Sequence, residues 1–150
     1  MYKNAQISLM QVCEVADGRK MASPEEIADE LKDLQTAAQE QFIVLTFNTK
    51  HRLIQRHMVS LGTLNSALVH VREVFRPAFM DAAAHIVVAH NHPSGDPAPS
   101  AQDIKITNKL IEAGKLLEIG VLDHVIIGRP LEGRTDFFLS LRESGMVTFY

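Results

Sequence analysis

The sequence predicts an α/β fold, because β-prone runs and amphipathic stretches of helical period share one chain of 150 residues. Residues 42–47 and 85–89 are short apolar runs of strand length. Residues 24–38, 71–84 and 100–117 instead space their apolar side chains for one face of a helix. Hydrophobic residues make up 46% and charged residues 22% of the chain, an ordinary globular balance, and the length suits one well-buried core. A single domain over residues 1–150 is therefore expected.

Taken in order, residues 5–15 alternate partly and suggest a first strand, ended by a turn at Asp17-Gly18. The only cysteine, Cys13, lies in that stretch and reads as a small core side chain. Ser23-Pro24-Glu25-Glu26 has the form of a capping box with proline in the first helical position. Ile27, Leu31 and Leu34 then form one apolar stripe of a helix reaching about residue 38. Residues 42–47 and 52–60 read as a hairpin, with Asn48-Thr49-Lys50 supplying the turn. A helix is expected over residues 71–84 with Val74 and Ala78 inward, although Pro77 should kink it or mark its first turn.

The next segment carries the chemistry. Residues 85–89 lead into His90-Asn91-His92, and side chains alternate along a strand, so His90 and His92 point the same way at its end. His85 has the opposite parity and should face away. A bend containing Pro93, Pro97 and Pro99 follows, then Ser100-Ala101-Gln102-Asp103 opens a helix. Two imidazoles and a carboxylate suit a borderline ion such as Zn²⁺, and three protein ligands leave a fourth tetrahedral position for water. His90, His92 and Asp103 are the candidate ligands. Ser100 and Asp103 also suit a helix cap, and Ser94 and Asp96 suit a turn, although either could support a histidine from behind.

This pattern resembles the JAMM motif of the JAB/MPN metalloprotease superfamily, and residues 89–97, AHNHPSGDP, resemble the RadC family of bacterial proteins. The likeness extends through Gly62-Thr63-Leu64-Asn65-Ser66 and Arg72-Glu73-Val74 before the motif, and through residues 121–128 after it. It covers roughly residues 20 to 145. The resemblance implies a cytidine-deaminase-like architecture, a curved mixed sheet flanked by helices. It also implies a zinc-dependent hydrolase that cuts a peptide or isopeptide bond in a peptide or protein substrate.

By the same resemblance Glu40, at the entry to the strand after the first helix, is the candidate general acid/base. Zinc lowers the pKa of bound water to about 7, and a nearby carboxylate can take the proton and pass it to the leaving amine. The competing reading is a solvated side chain between Gln39 and Gln41. Glu73 is the rival carboxylate and reads as helix surface or a salt-bridge partner. Ser100 has two compatible uses, capping the helix and donating to a developing oxyanion. The family places residues 62–66 near its active site and closes on a strand and short helix, which residues 137–145 match.

The last helical pattern, residues 100–117, has Ile104, Leu110, Ile111 and Leu117 as its apolar positions and Lys105, Lys109, Glu112 and Lys115 outward. Residues 118–122 lead into a strand at 125–127, ended by Gly128. His124, like His51, His57, His70 and His85, reads as an ordinary hydrogen-bonded residue, since three ligands are already in place.

Net charge is −3, so no global positive field draws the chain to nucleic acid. Lys50, Arg52 and Arg56, with His51 and His57, are its best electropositive stretch. A DNA-repair-associated nucleic-acid role, the historical RadC label, is the alternative function, and a noncatalytic interaction module is the third. The helix-hairpin-helix module of longer relatives is not expected here. With neither a signal segment nor an apolar run near twenty residues, a cytoplasmic protein without membrane contact is expected. The sequence does not specify an oligomeric state.

Overall fold

The computed structural model describes residues 18–62, 69–133 and 136–150. The expected strand at 5–15, Cys13 and most of the 62–66 loop lie outside the described residues.

α1 (Pro24–Glu30) starts on the expected capping box, with Glu26 N–H donating to Ser23 Oγ at 3.3 Å and Ser23 N–H to the Glu26 carboxylate at 3.2 Å. It stops about eight residues earlier than expected and passes into a 3₁₀ turn over Lys32–Thr36. The cause is a competitor for its last carbonyl. Arg56 donates to Glu30 O at 3.3 Å, and Leu34 N–H, which a continued α-helix would aim there, bonds Leu31 O at 2.9 Å instead. The apolar stripe survives the tightening, since Ile27, Leu31 and Leu34 are all buried.

β1 (Glu40–Phe47) and β2 (Leu53–Gly62) form the antiparallel hairpin, with Glu40 opposite Gly62. Asn48 builds its turn by accepting from Lys50 N–H at 2.9 Å and Arg52 N–H at 3.0 Å. α2 (Val71–Met80) runs through Pro77 without a break and ends at Met80, with Asp81 as its C-cap, short of residue 84. Pro77 lies near the C-terminal end, and its missing N–H leaves the helix intact. Val74 and Ala78 are fully buried.

β3 (His85–Asn91) lies at the centre of the sheet, α3 (Ala101–Leu117) crosses over it, and β4 (Gly120–Ile127) returns parallel to β3. β3 runs two residues beyond the expected end, and β4 starts five residues before 125. β5 (Phe138–Ser140) and α4 (Leu141–Ser144) close the fold as the resemblance implied. Leu117 corrects the helix reading, being 37% exposed, while Thr107 and Gly114 are buried in its place.

The result is a mixed five-stranded sheet in the order β2-β1-β3-β4-β5 with helices on both faces. Phe42, Val44, Ile86 and Val88 pack with Val74, Phe75, Leu110 and Ile111 of α2 and α3. Ile43, Leu45, Phe47, Val87 and Ala89 pack with Ile27, Leu31 and Leu34 on the other face. Strands buried on both sides read as continuous apolar runs, which is why β1 and β3 stood out in the sequence. None of the helices among the described residues is long and apolar enough to cross a membrane.

Candidate metal centre

The end of β3 delivers two imidazoles to one point. His90 is 2% exposed and lies between Phe42 of β1 and Ile126 of β4 in the ladder. His92 N–H donates to Ile127 O at 2.9 Å, so pairing continues past the strand and His92 keeps the parity of His90. Their Nε2 atoms are 3.0 Å apart.

α3 brings the carboxylate. Ser100 Oγ accepts from Asp103 N–H at 3.1 Å, and Asp103 Oδ2 accepts from Ser100 N–H at 2.8 Å, a reciprocal cap that leaves the carboxylate facing the histidines. Asp103 Oδ1 is 3.2 Å from His90 Nε2, and Oδ2 is 3.2 Å from His92 Nε2. Glu40, at the start of β1, places Oε1 3.8 Å from His90 Nε2 with a quarter of its side chain open to solvent. Glu40, His90 and His92 offer ligand atoms within 4.8 Å of one another, enough to hold a metal ion, and Asp103 lies closer still to both imidazoles.

The supporting residues explain why the cluster holds its shape. Asn91 faces the opposite way from the histidines. Its Oδ1 accepts from Gln41 N–H at 2.7 Å and its Nδ2 donates to Gln39 O at 3.1 Å. One buried side chain thus fixes the backbone on both sides of Glu40. The bend after His92 is fastened to the end of β4, where Arg129 N–H donates to Gly95 O at 2.8 Å and the Arg129 guanidinium donates to Pro93 O at 3.1 Å. Gly128 permits that approach, since a Cβ there would lie 2.2 Å from Gly95 O. Asp96 supports His92 through its main-chain carbonyl, which lies 2.8 Å from His92 Nδ1.

Electrostatics agree with the geometry. Burial pushes the Asp103 carboxyl up, but hydrogen bonds with His90 and His92 and from the Ser100 N–H outweigh it and hold the group well below the usual carboxylate range. For His92, burial favours the neutral ring, while Asp103, the Asp96 carbonyl and Glu40 together raise it above an ordinary histidine. A carbonyl can only accept, so the proton on neutral His92 sits at Nδ1 and the Nε2 lone pair faces the cluster. Asp103 accepts from the imidazoles while they carry Nε2 protons; once those protons are gone, lone pairs and a carboxylate this close repel unless a cation lies among them. Two imidazoles with carboxylates suit a borderline divalent ion, so the donor set fits a metal.

The structure brings Glu40, His90, His92, Ser100 and Asp103 into one region. Glu73 does not join them, standing exposed on the first turn of α2. The electropositive stretch is divided, because Arg56 makes a two-pronged bond to Asp33 at 2.7 and 2.8 Å, His57 meets Asp81 at 2.6 Å, and Arg52 donates to Gly18 O. His124 is the main residue that sequence reasoning passed over. It is fully buried, with Nε2 2.8 Å from His90 Nδ1 and Nδ1 2.5 Å from Thr107 Oγ1. Burial, reinforced by the neighbouring His90, pushes it well below the usual histidine range.

A mixed α/β sheet whose central strand ends in paired imidazoles, with a carboxylate on the next helix start, is a domain of the JAB type. Residues 21–146 match the family described as the RadC-like JAB domain, and the chain belongs to that family. It is 45% identical over 130 residues to a UPF0758 protein of Methanosarcina barkeri, an alignment covering 86% of this chain and 54% of the relative. With a UPF0758 protein of Bacillus cereus it shares 47% over 126 residues, covering 83% of this chain and 53% of the relative. The chain thus spans about half the length of the curated relatives it matches.

Proposed function

We propose that this chain is a zinc-dependent hydrolase of the JAMM type, cutting a peptide or isopeptide bond with an activated water. The observation that carries the reading is the meeting of His90, His92 and Asp103 within 3.2 Å of one another, beside a carboxylate that touches solvent. His90, His92 and Asp103 would hold the ion. When bound, zinc supplies Lewis acidity and lowers the pKa of a coordinated water to about 7.

Glu40 takes the proton from the attacking water and returns it to the leaving amine. Its position at the mouth of the site gives it access to both. Ser100 Oγ uses a lone pair to accept from Asp103 N–H, so its own hydrogen is available to an oxyanion, and the residue is exposed. Glu40, His92 and Ser100 all reach solvent, so a substrate meets them from the surface of the domain.

A peptide-library digest tests the reading. Cleavage is expected with zinc present, lost on chelation and restored by zinc. Cleavage that survives complete chelation, or zinc-loaded protein that cuts no amide or isopeptide substrate, contradicts it.

A further inference from the structure

His90 presents a lone pair to a metal only when its proton sits on Nδ1, and a chain of contacts behind the ring sets that position. The chain begins at the Asp103 carbonyl, which can only accept. Thr107 Oγ1 lies 2.6 Å from it and directs its single hydrogen there. Thr107 Oγ1 must then accept at its other contact, 2.5 Å from His124 Nδ1, so the proton of His124 is on Nδ1.

His124 is 0% exposed, and its nitrogens meet a hydroxyl and an imidazole rather than a carboxylate. As a neutral ring with Nδ1 protonated, it accepts at Nε2. His90 Nδ1, 2.8 Å away, is therefore the donor, and the lone pair of His90 Nε2 faces His92 and Asp103. Reversing every bond leaves Thr107 Oγ1 and the Asp103 carbonyl oxygen 2.6 Å apart with no hydrogen between them. The ring of Phe42 stacks on His90 at 5.9 Å and meets His124 edge-on at 5.8 Å, shielding the contact between them.

We propose that Thr107 and His124 are positioning residues that lock His90 in the metal-binding tautomer, closing a circuit that starts and ends on Asp103. The use of this lock rests on the metal-centre reading, but the lock itself is a property of the metal-free chain. Metal-ligating histidines are commonly oriented by a partner at the other ring nitrogen, and losing such a partner weakens metal binding about tenfold to a hundredfold.

The test is a long-range nitrogen–proton correlation spectrum of protein carrying isotope-labelled histidine, metal-free at mildly alkaline pH, paired with zinc titrations. Wild type and Thr107→Ser are expected to show His90 protonated at Nδ1 and to bind zinc with similar affinity. Thr107→Val is expected to mix the tautomers and weaken zinc about tenfold to a hundredfold. His90 protonated mainly at Nε2 in wild type overturns the proposal. So does Thr107→Val with wild-type spectrum and affinity. If no variant binds zinc yet wild type shows the Nδ1 proton and Thr107→Val loses it, the lock stands and the metal reading fails.

Discussion

Glu40→Gln is expected to slow amide hydrolysis by about a hundredfold to ten-thousandfold while leaving bound zinc unchanged. The substitution keeps the size and polarity of the side chain and removes only its capacity to take a proton. Glu40 Oε1 is 3.8 Å from His90 Nε2, whereas the Asp103 oxygens are at 3.2 Å from each histidine. That spacing suits a group acting beside the ion rather than on it. Because Glu40 also lies near enough to serve as a ligand, the zinc titration decides between the two roles. Lost zinc in Glu40→Gln would make the residue a ligand; unchanged turnover would remove it from the chemistry.

Asp103→Asn is expected to cost both metal affinity and the pH behaviour of the site. Asp103 has a depressed pKa, so its interaction with the histidines is present above the unfolded carboxylate value and is lost as pH falls through the folded one. His92 has a raised pKa, so its contribution is complete below the unfolded histidine value and is lost as pH rises through the folded one. The metal-free pair is therefore strongest in mildly acidic solution, the window between those limits. Zinc needs His92 neutral, so its apparent affinity should fall toward acid, by about tenfold per pH unit for each proton displaced, beginning above the ordinary histidine range. Asp103→Asn removes a carboxylate that raises His92, and this fall should move to lower pH while zinc binding weakens at every pH. Titrations across pH check both, and a variant with the wild-type profile would contradict the assignment.

Local features of the site were legible because they follow short periods. His90 and His92 share a face through strand alternation, and Ser100 with Asp103 forms a reciprocal cap within one helical turn. Glu40 depended on family likeness, since nothing in Gln39-Glu40-Gln41 marks it. The structure shows what does: the side chain of Asn91, fifty residues away, grips the backbone on both sides of it.

His124 was hidden for a more specific reason. β4 pairs with β3 at an offset of 35 residues at Ile86–Val121 and of 36 from Val87–Asp123 onward, so β4 carries one extra residue at that point. In parallel strands that slip exchanges the faces of every later side chain. It turns His124 toward His90 and leaves Asp123 on the other side, bonded to Ser140. A regular alternation through residues 120–127 would have put His124 on the wrong face. The early end of α1 has the same character, because Arg56 on a distant strand takes the carbonyl that would have continued the helix.

The most direct test of the whole account is diffraction at the zinc absorption edge from crystals grown with zinc. A single anomalous peak is predicted within about 2.0–2.2 Å of Nε2 of both His90 and His92 and of one Asp103 carboxylate oxygen. No peak among these side chains, with zinc bound elsewhere or not at all, would contradict it.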